Sequence, residues 1–191
     1  MMHRKRLALI GMLVLIALMV SPLPVLAAQL LAGEFPIAND PSLQEVTPSI
    51  AYNSQRHHYL VVWSNDRPGN DDIRAQKLAA DGSLMGGPFY ISGGPGHDRR
   101  KPDVTYDSVN DQFLVVWEDY DNVSTLKGNS IRGRRVSGTG IVLDTNDLII
   151  RANNTTFYTP SEPAVAFSTF SNRYLVVWHE VTHVGTIMQY I

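Results

Sequence analysis

Three stretches of this chain line up without a gap: PSIAYNSQRHHYLVVW from Pro48, PDVTYDSVNDQFLVVW from Pro102 and PAVAFSTFSNRYLVVW from Pro163. Each places a proline 15 positions before a tryptophan, and the chain's three tryptophans, Trp63, Trp117 and Trp178, stand 54 and then 61 residues apart. Self-similarity at such a period marks a repeat architecture, in which one supersecondary unit recurs. The likeness continues past the tryptophans. A variable polar stretch leads to IRAQKL from Ile73, IRGRRV from Ile131 and TIMQYI from Thr186, followed by Gly-containing turns at Asp81-Gly82 and Gly138-Thr139-Gly140. Another apolar piece comes next, FYIS from Phe89 and LIIR from Leu148, and a copy of it, FPIA from Phe35, precedes the first repeat.

Each piece reads as a β-strand. IAY, VTY and VAF alternate with period two and put the small side chains of Ala51, Thr105 and Ala166 on one face. YLVVW does not alternate: it is a continuous apolar run, too short for a helix, as expected of a strand buried on both faces between stacked sheets. Four short strands per repeat with the second buried on both sides predict propeller-type blades. The YLVVW runs, with WSNDRPGNDDIRAQKL after the first of them, resemble exported bacterial β-propeller-like repeat proteins. That resemblance spans nearly all of the chain after residue 28 and implies a fold, with little said of activity.

The predicted fold is all-β, with three four-stranded propeller-type blades in residues 29–191 and units of about 35–78, 89–136 and 147–191. Closed propellers use four or more blades. Three therefore imply an incomplete propeller, as in a piece of a larger one, or a homodimer closing a six-bladed ring. Residues 1–28 read as a secretory signal peptide: basic MMHRKR, the apolar run Leu7–Val20, then small residues around Ala27. The expected location is secreted or extracytoplasmic, with no stable membrane insertion after cleavage. Losing Arg4, Lys5 and Arg6 leaves 13 basic residues against 18 acidic ones, which predicts no nucleic-acid partner. The absence of cysteine excludes disulfides and thiolate metal sites.

The third repeat ends in HEVTH, His179 to His183, which matches the zinc-peptidase signature with Glu180 as general base. That chemistry needs both histidines on one helical turn. In a strand they would stand about 13 Å apart, at about 3.3 Å per residue. The alignment makes Trp178 the end of a strand and the following residues a loop like SNDRP and EDYDN. No third ligand follows His183, so the catalytic role of Glu180 and the zinc role of His179 and His183 stand only as an alternative.

The loops expected after the tryptophans are rich in oxygen ligands: Asp66, Asn70, Asp71 and Asp72, then Glu118, Asp119, Asp121 and Asn122. Asp66, Asp71 and Asp72 form the candidate calcium set, against ordinary turn and capping roles. Otherwise no cofactor is expected. Arg99, Arg100 and Lys101, and Arg132, Arg134 and Arg135, read as solvated charge, and His57 and His58 as exposed hairpin residues. Inner-strand acids are few, chiefly Asp103 and Asp107, the latter aligned with Asn53 and Ser168 where a turn begins. The sequons at Asn122, Asn153 and Asn154 matter only in a eukaryotic secretory pathway. These readings together predict a binding or structural role toward a protein or carbohydrate ligand. An extracellular hydrolase or the HEVTH peptidase is the alternative. The structural repeat core is Trp63, Trp117, Trp178, Pro48, Pro102 and Pro163.

Overall fold

The structure is a computed structural model. The chain divides into Met1–Leu30 and Leu31–Ile191. Described are residues 34–38, 40–67, 70–123, 128–152, 158–182 and 185–191, with backbone alone for 158 and 182–189. The expected signal peptide, His183, Asn153 and Asn154 lie outside them.

Eleven strands and no helix occur among the described residues: β1 Gln44–Asn53, β2 His58–Asp66, β3 Asp72–Ala79, β4 Leu84–Ser92, β5 His97–Asp107, β6 Gln112–Asp121, β7 Gly128–Ser137, β8 Leu148–Arg151, β9 Tyr158–Ser168, β10 Arg173–Thr182 and β11 Gly185–Tyr190. They form three antiparallel sheets, β1-β2-β3-β4, β5-β6-β7-β8 and β9-β10-β11. Among the described residues the third sheet has three strands where four were expected, because β8, counted in the third unit, pairs with β7 in the second sheet. The first copy, Phe35–Ala38, is not a strand here; Ile37 and Ala38 pack on Val61 and Trp63 instead.

The YLVVW runs explain the stacking. Leu60 and Val62 face the second sheet, where they meet Phe113, Val115 and Trp117. Leu114 and Val116 face the third sheet, where they meet Tyr174, Val176 and Trp178. Alternate residues of one run therefore serve two different neighbours, and no position is left for a polar side chain. Small residues sit where first strands converge: Ala51 joins the cluster between the first two sheets. Burying side chains of this size contributes about 1.5–3 kcal/mol each. The interface of the first two sheets, with ten fully buried apolar residues, is the main core.

Strand β2 continues to Asp66, β6 to Asp121 and β10 to Thr182, so the residues after each tryptophan are strand, not loop as the alignment suggested. Their polar character has a local cause. The second residue after the tryptophan accepts its indole N–H in two repeats, Trp63 to Asn65 at 3.1 Å and Trp178 to Glu180 at 3.2 Å. A buried strand can hold such residues because their hydrogen-bonding groups are met inside it.

Candidate functional site

Each first strand carries the same irregularity. Thr47 and Pro48 together oppose Trp63, Lys101 and Pro102 oppose Trp117, and Glu162 and Pro163 oppose Trp178. Two residues against one make a β-bulge, which bends the strand and re-aims a side chain. Proline suits the second place because it has no N–H to leave unpaired. The residue before it adopts φ of 51°, 49° and 53° at Thr47, Lys101 and Glu162. A residue with a Cβ enters that left-handed region at a cost, and such backbone clusters at functional sites.

The bulges turn three side chains toward the residues that follow the tryptophans. Thr47 Oγ1 lies 3.0 Å from Ser64 Oγ. Lys101 Nζ lies 3.5 Å from Glu118 Oε2, and Glu162 Oε2 lies 3.2 Å from His179 Nδ1. Lys101 also donates to Glu162 Oε1 at 3.2 Å, joining the second sheet to the third. Glu118 is held from behind by Asn129 Nδ2 at 3.2 Å. Its side chain is 12% exposed, against 53% for Glu162 and 41% for Lys101, so the cluster is open on one side and anchored on the other. A cavity of about 300 Å³ adjoins it, lined by Thr47, Ser64, Asp66, Asp71, Arg100 and Lys101.

The electrostatics follow from the geometry. Burial pulls the Lys101 ammonium down, but Glu118 and then Glu162 outweigh it and leave its pKa raised. The hydrogen bond and charge of Lys101 hold the Glu162 carboxyl below its ordinary value. The site thus places one ammonium between Glu118 and Glu162, with Glu118 Oε2 at 3.5 Å and Glu162 Oε1 at 3.2 Å from Lys101 Nζ.

Asp103, one of the inner-strand acids read from the sequence, serves beneath the site. It accepts from Ser49 Oγ at 2.7 Å and from Val165 N at 2.8 Å, clamping β1, β5 and β9 together. Asp107 caps a turn, its Oδ1 accepting from Val109 N at 2.9 Å and Asn110 N at 3.0 Å.

HEVTH lies in a strand as far as it is described. His179 and Glu180 are adjacent in β10 and take opposite faces. His179 meets Glu162, whereas Glu180 is buried with Trp178 Nε1 and Arg151. The helical zinc arrangement is therefore not formed by the described part, and His183 lies outside it. Of the calcium candidates, Asp66 and Asp71 both line the cavity beside Lys101. Asp66 is exposed, while Asp71 accepts from Arg100 Nε at 2.6 Å and Asp72 from Gly94 N at 3.0 Å. No group of three metal-ligating side chains occurs among the described residues. The basic clusters are not simply solvated. Arg99 is 5% exposed between Asp72 and Asp119, and Arg134 Nε donates to Asp147 at 2.6 Å. His58 is likewise buried, against Phe113, because it opens β2 rather than ending the hairpin loop.

Three members of the cluster, Thr47, Ser64 and Glu162, had no role in the sequence reading, while Lys101 was read as solvated charge and Glu118 as a loop acid. A signal was present in the repeat alignment. The columns just before each proline and just after each tryptophan read Thr, Lys, Glu and Ser, Glu, His, while the proline and tryptophan columns they flank stay constant. Variable residues on an invariant scaffold are where function resides.

Solved structures similar to this chain are carbohydrate-active proteins. One is an N-acetylgalactosamine deacetylase from F. plautii in complex with blood group B trisaccharide, at TM-score 0.57 and 10% identity over 81% of this chain and 51% of that one. A thermostable family-43 glycoside hydrolase gives TM-score 0.53 and 15% identity over 80% and 55%. The endo-arabinase of Bacteroides thetaiotaomicron VPI-5482 gives 0.52 and 12% over 82% and 61%. No protein-family model matches the sequence, and neither does any curated protein. The chain is thus an all-β protein of β-propeller architecture, spanning about half the length of the structures it resembles. The expectation of a binding or structural role does not stand against these neighbours, and neither does the zinc peptidase.

Proposed function

We propose that the chain belongs to a carbohydrate-active β-propeller and acts on a glycan at the cluster of Lys101, Glu118, Glu162 and His179, with Thr47 and Ser64 extending it. One observation carries this reading. Two sets of three equivalent positions at the three bulges come together, yet hold side chains of four chemistries, two hydroxyls, an imidazole and two carboxylates across one ammonium. Glycosidic bond cleavage uses paired carboxyl groups, one to protonate the leaving oxygen and the other to activate water or attack carbon. Lys101 keeps Glu162 ionised, which suits Glu162 to the second role and leaves the acid role to the more buried Glu118, and His179 positions Glu162 from its other oxygen. The adjoining cavity, lined by hydroxyls, carboxylates and cations, offers hydrogen-bond partners for a neighbouring sugar ring.

The test is product release by the purified full-length chain from a panel of oligosaccharides, beginning with arabino-oligosaccharides, the substrate class named for one neighbour. Glu118→Gln and Glu162→Gln should each lower kcat at least about 100-fold, the scale of lost acid–base catalysis. Full activity in both variants, or neither turnover nor binding by the unaltered chain, overturns the reading.

A further inference from the structure

The fourth-strand pieces have a second partner besides the strand they pair with. Ile91 of β4 packs in the cluster that contains Trp117, and Ile150 of β8 packs in the cluster that contains Trp178. Each piece completes its own sheet and at the same time covers the tryptophan of the next. Ile37 and Ala38 hold the corresponding position on Trp63. The segment thus sits where the outer strand of a preceding sheet belongs, though none of the three sheets is the one it would complete.

The missing sheet is described by the molecule itself. Among the described residues no strand pairs with the far edge of β11, and the outer face of the third sheet leaves Leu175 50% exposed and Tyr190 77% exposed. The back of the first sheet leaves Ile50 56% and Tyr52 41% exposed. These are equivalents of residues that are buried between the other sheets: Leu114 matches Leu175, and Val104 and Tyr106 match Ile50 and Tyr52. A cavity of about 220 Å³ lies between Phe35, Ile37, Val61 and Trp63, as it would if a sheet were absent from that stack. The two open faces are therefore complementary in the way that the sheet-to-sheet contacts already formed are complementary.

We propose that Phe35–Ala38 of one copy is the outer strand of the third sheet of a second copy, and that two copies exchange these strands reciprocally. The register is set by the repeats. Ala75 pairs with Phe89, and Gly133 with Leu148. The position equivalent to Ala75 and Gly133 in the third sheet is Tyr190, since Val62↔Ala75, Val116↔Gly133 and Val177↔Tyr190 correspond. Phe35 of one copy therefore lies opposite Tyr190 of the other. Pro36 is compatible with an outermost strand, whose far side needs no N–H partner.

The test has two parts. Light scattering on a sizing column should give the unaltered chain the mass of a dimer. The chain has no cysteine, so the double variant Phe35→Cys, Tyr190→Cys introduces the only two thiols. On oxidation it should run as a covalent dimer that reductant dissolves, while either single variant should not. A monomeric or aggregated unaltered chain overturns the proposal, as would be found if these faces serve further sheets of a longer polypeptide. So does an intrachain bond, or a dimer whose thiols fail to couple. Neither part reads glycan chemistry, so its failure is distinct from that of the proposed function.

Discussion

At one end of β1, β5 and β9 the chain turns through Asn53, Asp107 and Ser168; at the other it bulges through Thr47, Lys101 and Glu162. Both ends use left-handed backbone, with φ of 53°, 49° and 51° at His57, Asp111 and Asn172 in the turns, close to the values in the bulges. Their side chains are used differently. In the turns, Asn53 Oδ1 accepts from Arg56 N at 2.8 Å, Asp107 Oδ1 from Asn110 N at 3.0 Å and Ser168 Oγ from Ser171 N at 3.3 Å, one task done three times. Spare atoms there tie sheet to sheet: Arg56 NH2 lies 2.6 Å from Asp111, and Tyr174 OH donates to Asp107 at 2.8 Å. In the bulges the backbone alone repeats, and the side chains are free to differ. The repeated turn serves architecture, where its capping side chains share one task, and the repeated bulge serves a site, where its side chains diverge.

That contrast can be broken by experiment, starting with the largest effect. Trp117→Ala removes the fully buried ring between the first two sheets and should cost about 3–5 kcal/mol in urea unfolding, since the interior can collapse only partly around the cavity. Asp107→Ala leaves two turn N–H groups and the Tyr174 hydroxyl without their acceptor and should cost about 1–3 kcal/mol. Glu162→Gln, by contrast, should change stability by no more than about 1 kcal/mol, because Glu162 and its partners Lys101 and His179 are about half open to water. The same variant should nonetheless lower glycan turnover at least about 100-fold. If Glu162→Gln destabilises as much as Asp107→Ala, the bulge end is scaffold and the contrast fails.

The smallest effect concerns pH. His58 is buried with its Nε2 unpartnered, and burial, aided by Lys77, pushes its pKa below the ordinary imidazole value. The folded chain then holds fewer protons on this residue than the unfolded one. Its contribution is fully present above about pH 6.5 and is lost as pH falls from there toward the lowered folded value. His58→Gln, which installs the residue of the equivalent position Gln112, should flatten that limb in unfolding curves recorded between pH 7 and 5. An unchanged slope would place the titration elsewhere.

Much of the scaffold was legible because its causes are local and repeated. The unbroken YLVVW run announces burial on two faces, and the alignment of three tryptophans gives the strand that carries them. The turn at Asp81-Gly82 reads correctly for the same reason: Gly82 has φ 85° and Ser83 N is held by Asp81 Oδ1 at 2.9 Å. What failed was the reading of polarity as exposure. Arg99, Asp119 and Glu180 look like loop chemistry, but partners distant in sequence let them be buried. The site escaped notice because Lys101 and Glu162 meet across 61 residues, and no window along the chain contains both.

The proline after each bulge has a consequence for how such a molecule can change. Its ring bars the preceding residue from right-handed helical backbone and gives up no hydrogen bond, so the bulge does not depend on which side chain it displays. A tandem duplication would thus copy the receptacle already formed. Afterwards two substitutions per copy suffice to give it a different specificity, with no refitting of the strands beneath. Divergence in this chain is cheap at its bulges and expensive everywhere else.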